Sequence, residues 1–520
     1  MNYFIGLDSG GTFMKAALLD SNGQQIAIAK VSAKVLNEQQ GWVERALDDL
    51  WSDAKSAIVK LLQSVDIAAA DIKGLSISAQ GKGVYLLDKK GENLRNGIIS
   101  SDSRSLSIVK KWQEDKIPEA IYPMTLQTLW TGHPVSIVRW LKDNEEENYR
   151  QIGAILMAHD YLRYRLTGNI AAELTNISES NFFNATSGEY DPELLRMFGI
   201  EEVFSALPPI IKPDELAGYV TQKVAEETGL EAGTPVFGGL FDVVSTAICS
   251  GINANENTLN YVTGTWAVTS GIATGIPSES DIKVSNYNYV YGHYVLDKQY
   301  IIHDASPTSA SNYEWFHDYL GKDGEIDHQT NQLLVSELPA AASELFFVPF
   351  LYGSNMGLGI KAGFYGLQAH HTKGHLIQAI WEGILFCHNL HLDRMRARFP
   401  RASVLRVTGG TTTSGVWMQM LADLTGMSVE IPSIEETGSL GAALMAMVGV
   451  GEYASIELGL AAMNIQTKRI EPNPRHYQAY QHKYQRYLQL VNLFKEFESK
   501  EFESKEFESK AFESQQFEKA

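Results

Sequence analysis

Cysteine is nearly absent from this sequence, which contains only Cys249 and Cys387 among its 520 residues. Two cysteines exclude a scaffold that is held together by several disulfides. Both lie in apolar surroundings, which predicts buried free thiols in a reducing compartment, and a disulfide between them is left as an alternative.

Long apolar runs and an excess of positive charge are also missing. No run of about 18 apolar residues occurs and no basic-then-apolar leader precedes the first predicted strand, so we expect a cytoplasmic protein. The formal net charge of −19 argues against general binding to nucleic acid or anionic membranes, because these polyanions would be repelled. An anionic substrate must then be held by a few placed cations or by a metal ion.

The length of the chain exceeds that of a single ordinary core. We expect two large domains, residues 1–249 and 250–490, with a ligand bound in the cleft between them. Residues 491–520 are expected to be a separate tail, in which Lys-Glu-Phe-Glu-Ser repeats from Lys495. Five residues turn a helix by about 140°, so the phenylalanines form no single stripe. The pattern predicts a charged, disordered or loosely helical appendage without a catalytic role.

The first twenty residues contain the motif around which the chain is organised. Two apolar strands flank the small polar stretch from Asp8 to Thr12, which predicts a β-hairpin. Its glycines allow close approach of a ligand, and its N–H groups and the Thr12 hydroxyl can face phosphate oxygens. Asp8 can act beside phosphate only through a cation, which implies Mg²⁺. An ordinary hairpin with a solvated turn is the alternative.

A second strand, turn and strand follows at residues 260–269, with Gly264 and Thr265 in its turn. Two such hairpins, one in each half, indicate a duplicated architecture that holds a polyphosphate between two domains. Between them, Asp242 begins an apolar helix that is predicted over residues 243–249. The helix dipole stabilises its carboxylate, which keeps it available to accept a proton. The alternative for Asp242 is a plain helix N-cap.

A third motif lies in the second half, where a strand at 404–408 runs into Gly409 and Gly410 and then into a helix at 416–424. The glycines allow a nucleotide to lie against this turn, and the helix N-terminus favours phosphate oxygens. In the first half, helices are predicted at 47–62, 135–143 and 158–166, and strands at 74–78 and 84–88. This alternation indicates an α/β fold.

These motifs resemble those of the FGGY carbohydrate kinases, of the actin and hexokinase superfamily, over about residues 1–490. The stretches that carry the resemblance are Gly6-Leu7-Asp8, 238–246, Gly264-Thr265, 362–367, Gly409-Gly410 to Trp417 and Gly441-Ala442-Ala443. The resemblance implies an α/β, two-domain, actin/hexokinase-like (ribonuclease H-like) fold with an interdomain cleft. It also implies ATP and Mg²⁺ as cofactors and a homodimer.

The resemblance assigns roles to the residues of the three motifs. Asp242 would be the general base that takes a proton from a sugar hydroxyl as it attacks the γ-phosphate of ATP. Asp8 and Asp242 would face Mg²⁺. The groups expected at the phosphates are Thr12, Gly264, Thr265 and Lys15, although Lys15 could equally be solvated. Gly409 and Gly410 would pack against the adenosine.

In the sugar site the resemblance implies contacts from Gln80, Lys82, Asp102 and Arg104. Many relatives have histidine at the position of Lys82. A lysine here could neutralise a substrate carboxylate and so favour a keto-sugar acid. The alternative is that Lys82 binds a hydroxyl or points to solvent. His133 and His159 are expected to be structural, because no cluster has metal-ligand spacing.

The implied reaction is phosphorylation of a keto-sugar at its terminal hydroxyl. L-xylulose, giving L-xylulose 5-phosphate in pentose or ascorbate-type catabolism, is the first candidate, and 3-keto-L-gulonate or D-xylulose are the alternatives. A different class, a non-catalytic actin-like ATPase, would share both hairpins but would not need Asp242 beside a polyol site.

Overall fold

The computed structural model describes residues 1–254, 257–264, 267–278, 282, 289–306, 308–320, 328–352, 354, 356, 360–434 and 436–517. The chain divides into two compact units, each made of segments that are distant in sequence. The first unit comprises Met1–Ala254, Ile272–His303 and Ile434–Gln466, and the second comprises Asn255–Gly271, Asp304–Ser433 and Thr467–Ala520. The chain therefore leaves the first unit and returns to it twice.

The first unit is built on a seven-stranded sheet. Six strands follow one another in the order Leu216–Tyr219, Pro235–Phe237, Ile72–Ala79, Tyr3–Ser9, Phe13–Asp20 and Gln25–Ser32, and Leu240–Phe241 also pairs with Ile72–Ala79. Tyr3–Ser9 is parallel to Ile72–Ala79 and antiparallel to Phe13–Asp20, so the sheet is mixed. The central strands Tyr3–Ser9 and Ile72–Ala79 are almost continuously buried, which indicates that both of their faces are covered.

Helices and short hairpins surround this sheet. The helices of the first unit are Leu47–Gln63, Leu106–Glu114, Ile117–Thr125, Pro134–Asn144, Glu146–Gln151, Ala158–Thr167, Leu174–Ile177, Pro192–Met197, Gln222–Thr228, Asp242–Cys249, Thr437–Gly449 and Ile456–Met463. The short strand pairs are Glu44–Arg45 with Gly97–Ile98, Tyr85–Asp88 with Ile152–Leu156, Ala172–Glu173 with Ile210–Ile211, and Phe183–Asn184 with Glu189–Tyr190. Val290–His293 and Gln299–Ser306 also pair with each other, as the first two strands of a second seven-stranded sheet. The predicted helices at 47–62, 135–143 and 158–166 are confirmed to within one residue at each end.

Close packing of one helix positions the end of the first strand. The helix Thr437–Gly449 lies against Tyr3–Ser9, and a Cβ at Gly6 would stand 1.8 Å from the Ser439 carbonyl oxygen. A Cβ at Gly441 would stand 2.0 Å from Ser245 Oγ of the helix Asp242–Cys249. Glycine at these two positions therefore lets the sheet and the two helices approach to backbone contact.

The second unit has its own sheet. Five of its strands run in the order Ala267–Thr274, Thr258–Thr263, Val404–Thr408, Ser428–Pro432 and Thr467–Ile470, and Phe346–Val348 pairs with Gly363–Tyr365. Its helices are Ser311–Leu320, His328–Ser336, Lys373–Arg398, Gly415–Thr425 and Pro474–Phe517. Thr258–Thr263 and Ala267–Thr274 are antiparallel neighbours, so the predicted second hairpin is confirmed.

The last helix extends through most of the pentapeptide repeat, ending at Phe517. Cys249 and Cys387 are both buried and free, as predicted, and do not form the alternative disulfide. In the described part of the chain, no helix is both long and apolar enough to cross a membrane.

Candidate functional site

Asp8 lies at the end of the buried strand Tyr3–Ser9, directly across the hairpin from Lys15. Lys15 Nζ is 3.5 Å from Asp8 Oδ2 and 2.7 Å from Glu436 Oε2, so this lysine is held between two carboxylates instead of being solvated. Burial raises the pKa of Asp8, and the charge of Lys15 opposes that rise. The cluster keeps a carboxylate and an ammonium fixed beside the glycine-rich turn.

The first turn of a helix lies against the Asp8 carboxyl group. A Cβ at Gly438 would stand only 2.4 Å from Asp8 Cγ, and Gly438 is the second residue of the helix Thr437–Gly449. A carboxylate at a helix N-terminus is favoured by the helix dipole. The Thr12 side chain, at the end of the adjoining turn, is exposed.

Asp242 is the first residue of the helix Asp242–Cys249, directly after the short strand Leu240–Phe241. The N-cap of this helix is Phe241, so the alternative of a plain Asp242 N-cap is wrong. Burial and the nearby Asp8 charge raise the pKa of Asp242 to about 7, against a weaker lowering by Lys82. A carboxylate with this pKa can accept a proton near neutral pH.

Lys82 is mostly buried and paired, in contrast to the alternative that it points to solvent. Its Nζ lies 2.6 Å from Glu179 Oε2, and its side chain is 12% exposed. The same Glu179 oxygen is 3.2 Å from His303 Nε2. Gln80 is half-buried, and its Nε2 donates a hydrogen bond to the Tyr85 hydroxyl at 3.0 Å, which leaves its amide oxygen for another donor.

Asp102 and Arg104 pair with each other. Arg104 Nε and Nη2 donate to the two Asp102 oxygens at 2.9 Å, and the Arg104 guanidinium stacks 3.9 Å from the Trp42 ring centre. Arg104 Nη2 also lies 2.7 Å from Glu44 Oε1. Both carboxylate oxygens of Asp102 are therefore occupied, since the Val43 N–H also donates to one of them. Among the described residues, the buried Arg104 Nη1 has no hydrogen-bond partner.

The two histidines that border this region are buried, as expected for structural residues. Burial lowers the pKa of His133 well below its usual range, and the Lys82 charge adds to this effect. His133 Nδ1 accepts a hydrogen bond from the Trp130 N–H, so the proton of its neutral ring is on Nε2. His159 Nε2 lies 3.3 Å from Asp160 and 3.4 Å from Glu173. Within the described ranges, no three His, Cys, Asp or Glu side chains form a metal-ligand cluster.

The remaining predicted residues belong to the second unit. Gly409 is in the left-handed region, with φ +109°, and a Cβ there would stand 2.1 Å from the Thr263 carbonyl oxygen. A Cβ at Gly410 would meet nothing within 4 Å. The Gly264 carbonyl accepts a hydrogen bond from the Ala310 N–H at 3.2 Å. The strand-to-helix turn and the hairpin turn are thus neighbours, while Thr265 lies outside the described residues.

Sequence reasoning missed Glu436, Glu179 and His303. Glu179 lies in the segment Asn176 to Asn181, and nothing in that segment pointed to Lys82, which is 97 positions away. Glu436 is 421 positions from Lys15. The excess of acidic residues was the one available signal that any cation of the site would find a carboxylate partner.

The chain has relatives among known proteins over almost its whole length. The chain is 52% identical over 495 residues to a protein of Pasteurella multocida named "Probable L-xylulose kinase". The aligned region covers 95% of this chain and 99% of that protein. It is 50% identical over 498 residues to the L-xylulose/3-keto-L-gulonate kinase of Escherichia coli, with 96% of this chain and 98% of that one covered.

The comparison with solved structures shows the same fold. The ligand-bound xylulose kinase of Lactobacillus acidophilus matches with a TM-score of 0.87 at 22% identity, covering 96% of this chain and all of that one (100%). The family models for the N-terminal and C-terminal domains of the FGGY family of carbohydrate kinases match residues 3–249 and 259–450. This chain has a two-domain α/β fold and belongs to the FGGY family of carbohydrate kinases.

Proposed function

We propose that this kinase transfers the γ-phosphoryl group of ATP to the terminal hydroxyl of L-xylulose, giving L-xylulose 5-phosphate. The two relatives at 52% and 50% identity carry L-xylulose in their names. The observation that carries the proposal is the half-buried Asp242, whose pKa is raised to about 7 by desolvation and by the nearby Asp8 carboxyl group. A base of this strength suits proton removal from a sugar hydroxyl at neutral pH.

In this proposal Asp242 is the catalytic residue. Its ionised oxygen accepts the proton of the sugar's terminal hydroxyl as that oxygen attacks the γ-phosphorus. Because phosphoryl transfer depends mainly on alignment and charge neutralisation, the fixed position of Asp242 at a helix N-terminus contributes as much as its basicity.

The nucleotide would be held by the two hairpin turns and the strand-to-helix turn. Thr12, Lys15, Gly264 and Thr265 are proposed to contact the phosphates, and the open surface at Gly410 suits contact of Gly409 and Gly410 with the adenosine. Lys15, already held by two carboxylates, brings one fixed positive charge to this set.

Asp8 and Asp242 fit a Mg²⁺ ion that arrives with the nucleotide. Each of these partly buried carboxyl groups has a raised pKa, and Asp8 contributes to the rise at Asp242, so a divalent cation would relieve their repulsion. Mg²⁺ is commonly held by one or two carboxylates together with substrate phosphates, which agrees with the small donor set. When bound, it would supply charge neutralisation at the transferred phosphoryl group.

Gln80, Lys82, Asp102 and Arg104 are proposed to form the sugar site. The Gln80 amide oxygen and Arg104 Nη1, which has no hydrogen-bond partner among the described residues, are the groups proposed to meet sugar hydroxyls. Both cations of this set are already paired, Lys82 with Glu179 and Arg104 with Asp102, which favours an uncharged sugar. The second candidate substrate, 3-keto-L-gulonate, is favoured by the name of the Escherichia coli relative.

The organisation of the chain is part of the same proposal. Residues 1–249 would carry the sugar site, the first phosphate hairpin and Asp242, and residues 250–490 the second hairpin and the adenosine site, with 491–520 as a tail. A homodimer, as the family resemblance implies, and a cytoplasmic location complete it.

A coupled assay of ADP formation tests the proposal with a panel of L-xylulose, D-xylulose and 3-keto-L-gulonate. We expect L-xylulose to give the highest kcat/KM, and Asp242→Ala to abolish the sugar-stimulated activity while the variant remains folded. Lys55→Ala, which removes an exposed ion pair with Glu227, is the control and should retain full activity. Sugar-stimulated turnover that survives in Asp242→Ala would refute the role of this residue.

A further inference from the structure

An ion pair lies beside the proposed catalytic carboxylate. Lys82 Nζ is 2.6 Å from Glu179 Oε2, and these side chains are 12% and 0% exposed. Lys82 Nζ also lies 5.1 Å from the ring centre of Phe241, the residue that immediately precedes Asp242. The pair therefore borders the place where a sugar hydroxyl would meet Asp242.

One segment holds Lys82 at both of its ends. The Lys82 backbone N–H donates to Asn176 Oδ1 at 3.0 Å, while its ammonium group contacts Glu179, three residues further along the same segment. Lys82 has φ +61°, a backbone conformation that is uncommon for a residue with a side chain. Its surroundings must impose this conformation, so the lysine is fixed in place toward Glu179.

The Glu179 side chain is fully buried and closely packed. Its Oε2 is shared between Lys82 and His303, and a Cβ at Gly292 would stand 2.2 Å from its Oε1. In the part of the chain that the structure describes, this buried Oε1 has no hydrogen-bond partner. His303 and Lys82 hold the pKa of Glu179 at about 2 in spite of its burial, so the group is ionised and cancels the charge of Lys82.

We infer that Glu179 is a specificity-determining residue, which acts through Lys82 to make the site select an uncharged keto-sugar over a keto-sugar acid. The inference deepens the proposed function and rests on it for the location of the sugar. A substrate carboxylate would have to compete with Glu179 for the charge of Lys82, and it would add negative charge beside Glu179 and Asp242. Such unfavourable charge placement is a common way for a site to reject a competing ligand.

Calorimetric binding of L-xylulose and of 3-keto-L-gulonate, in the absence of nucleotide, measures this preference directly. We expect the wild-type protein to bind the neutral sugar more tightly. Glu179→Gln leaves Lys82 without its counter-ion and should shift the ratio of the two dissociation constants toward the acid by on the order of 10- to 100-fold, the worth of one charge-assisted hydrogen bond.

The double variant Lys82→Met/Glu179→Gln tests whether Glu179 acts through Lys82. Removal of both charges leaves no unpaired ion, so this variant should fold even if Glu179→Gln alone does not. We expect it to show none of the shift toward the acid. Lys82→Met alone should weaken binding of the acid more than binding of L-xylulose, because Glu179 is then uncompensated.

Glu382→Gln is the matched control. Glu382 forms a comparably buried ion pair with Lys483 in the second unit, and loss of this pair should lower thermal stability without changing the ratio of dissociation constants. A purely structural role of Glu179 would give the same result in Glu179→Gln. An unchanged ratio in Glu179→Gln, an equal shift in the double variant, or equal binding of both sugars by the wild-type protein would overturn the inference.

Binding and turnover separate this inference from the proposed function. If L-xylulose binds with the expected preference but ADP is not formed, the proposed reaction fails and the inference stands. If L-xylulose is phosphorylated but Glu179→Gln leaves the preference unchanged, the inference alone fails. If neither sugar binds to the wild-type protein, the Lys82–Glu179 pair does not border a sugar site and the inference is overturned.

Discussion

Replacement of Gly409 and of Gly410 by alanine, one at a time, separates backbone strain from nucleotide contact. Gly409 has φ +109°, and its new Cβ would lie 2.1 Å from the carbonyl oxygen and 2.7 Å from the carbonyl carbon of Thr263. These are backbone atoms of a paired strand, so they cannot rotate away as a flexible side chain would. Gly410 has open space where its Cβ would be built.

The magnitudes differ accordingly. A residue with a side chain in a disfavoured backbone region costs about 1–3 kcal/mol, and overpacking adds a similar about 1–3 kcal/mol. Gly409→Ala should therefore lower the free energy of unfolding by roughly 2–6 kcal/mol, which corresponds to a fall in Tm of roughly 5–20 °C for a domain of this size. Gly410→Ala should leave Tm unchanged or slightly raised, because alanine restricts the unfolded chain.

Thermal unfolding followed by fluorescence measures both variants, and steady-state kinetics adds the KM for ATP. If adenosine packs against Gly410, the added methyl group should raise this KM while the KM for sugar is unchanged. Equal Tm values for the two variants would refute the strain argument. An unchanged KM for ATP in Gly410→Ala would remove Gly410 from the nucleotide site.

Three further predictions follow from the site and the tail. Asp242→Asn should be inactive, yet in the presence of chelator it should be more stable than the wild-type protein above pH 7. Because the folded-state pKa of Asp242 is about 7 and its usual value is 3.8, the wild-type protein loses stability, in total about 4 kcal/mol, as the pH rises between these values. The curves of Tm against pH for the two proteins should therefore converge near pH 4. Parallel curves would contradict the raised pKa. Gly292→Ala should displace Glu179 and lower Tm by several degrees without altering any charge of the site, and an unchanged Tm would show that the contact is not tight. Truncation before Lys495 should leave kcat and KM unchanged, since the ion pair of Glu498 with the exposed Lys361 is worth little, and loss of activity would give the repeat a function.

Sequence reasoning succeeded where the signal was local. Apolar periodicity and glycines at turns, which are properties of neighbouring residues, were enough to predict several elements. These are both hairpins, the strand Val404–Thr408 and the helices near residues 47, 134 and 158. The carbohydrate-kinase family was predicted from the same motifs and is confirmed by the family models. The assignment of individual residues to base, metal and sugar stays a prediction.

It failed where charged groups from distant segments meet. Lys15 was given a choice between phosphate and solvent, but the structure adds two carboxylates, one of them 421 positions away. Lys82 was considered as a free cation for a substrate carboxylate, but Glu179 takes that place. Ion pairing leaves no periodic trace in a sequence, so the charge state of a site is harder to predict than its backbone.

The pairing of Lys82 with Glu179 also bears on the strength of the base. The charge of Lys82 lowers the pKa of Asp242 and the charge of Glu179 raises it, so together they leave that pKa dominated by burial and by Asp8. Glu179→Gln removes the negative charge that raises the pKa of Asp242. The positive charge of Lys82, which lowers this pKa, is then no longer cancelled, so the pKa of Asp242 should fall. A base must be ionised to act, so the acidic limb of the pH profile of kcat/KM for L-xylulose should move to lower pH in Glu179→Gln and should not move in Glu382→Gln. A limb that stays in place in Glu179→Gln would mean either that Asp242 is not the titrating base or that the ion pair does not control it. Asp242→Ala distinguishes the two, because it abolishes the sugar-stimulated turnover only if Asp242 is the base.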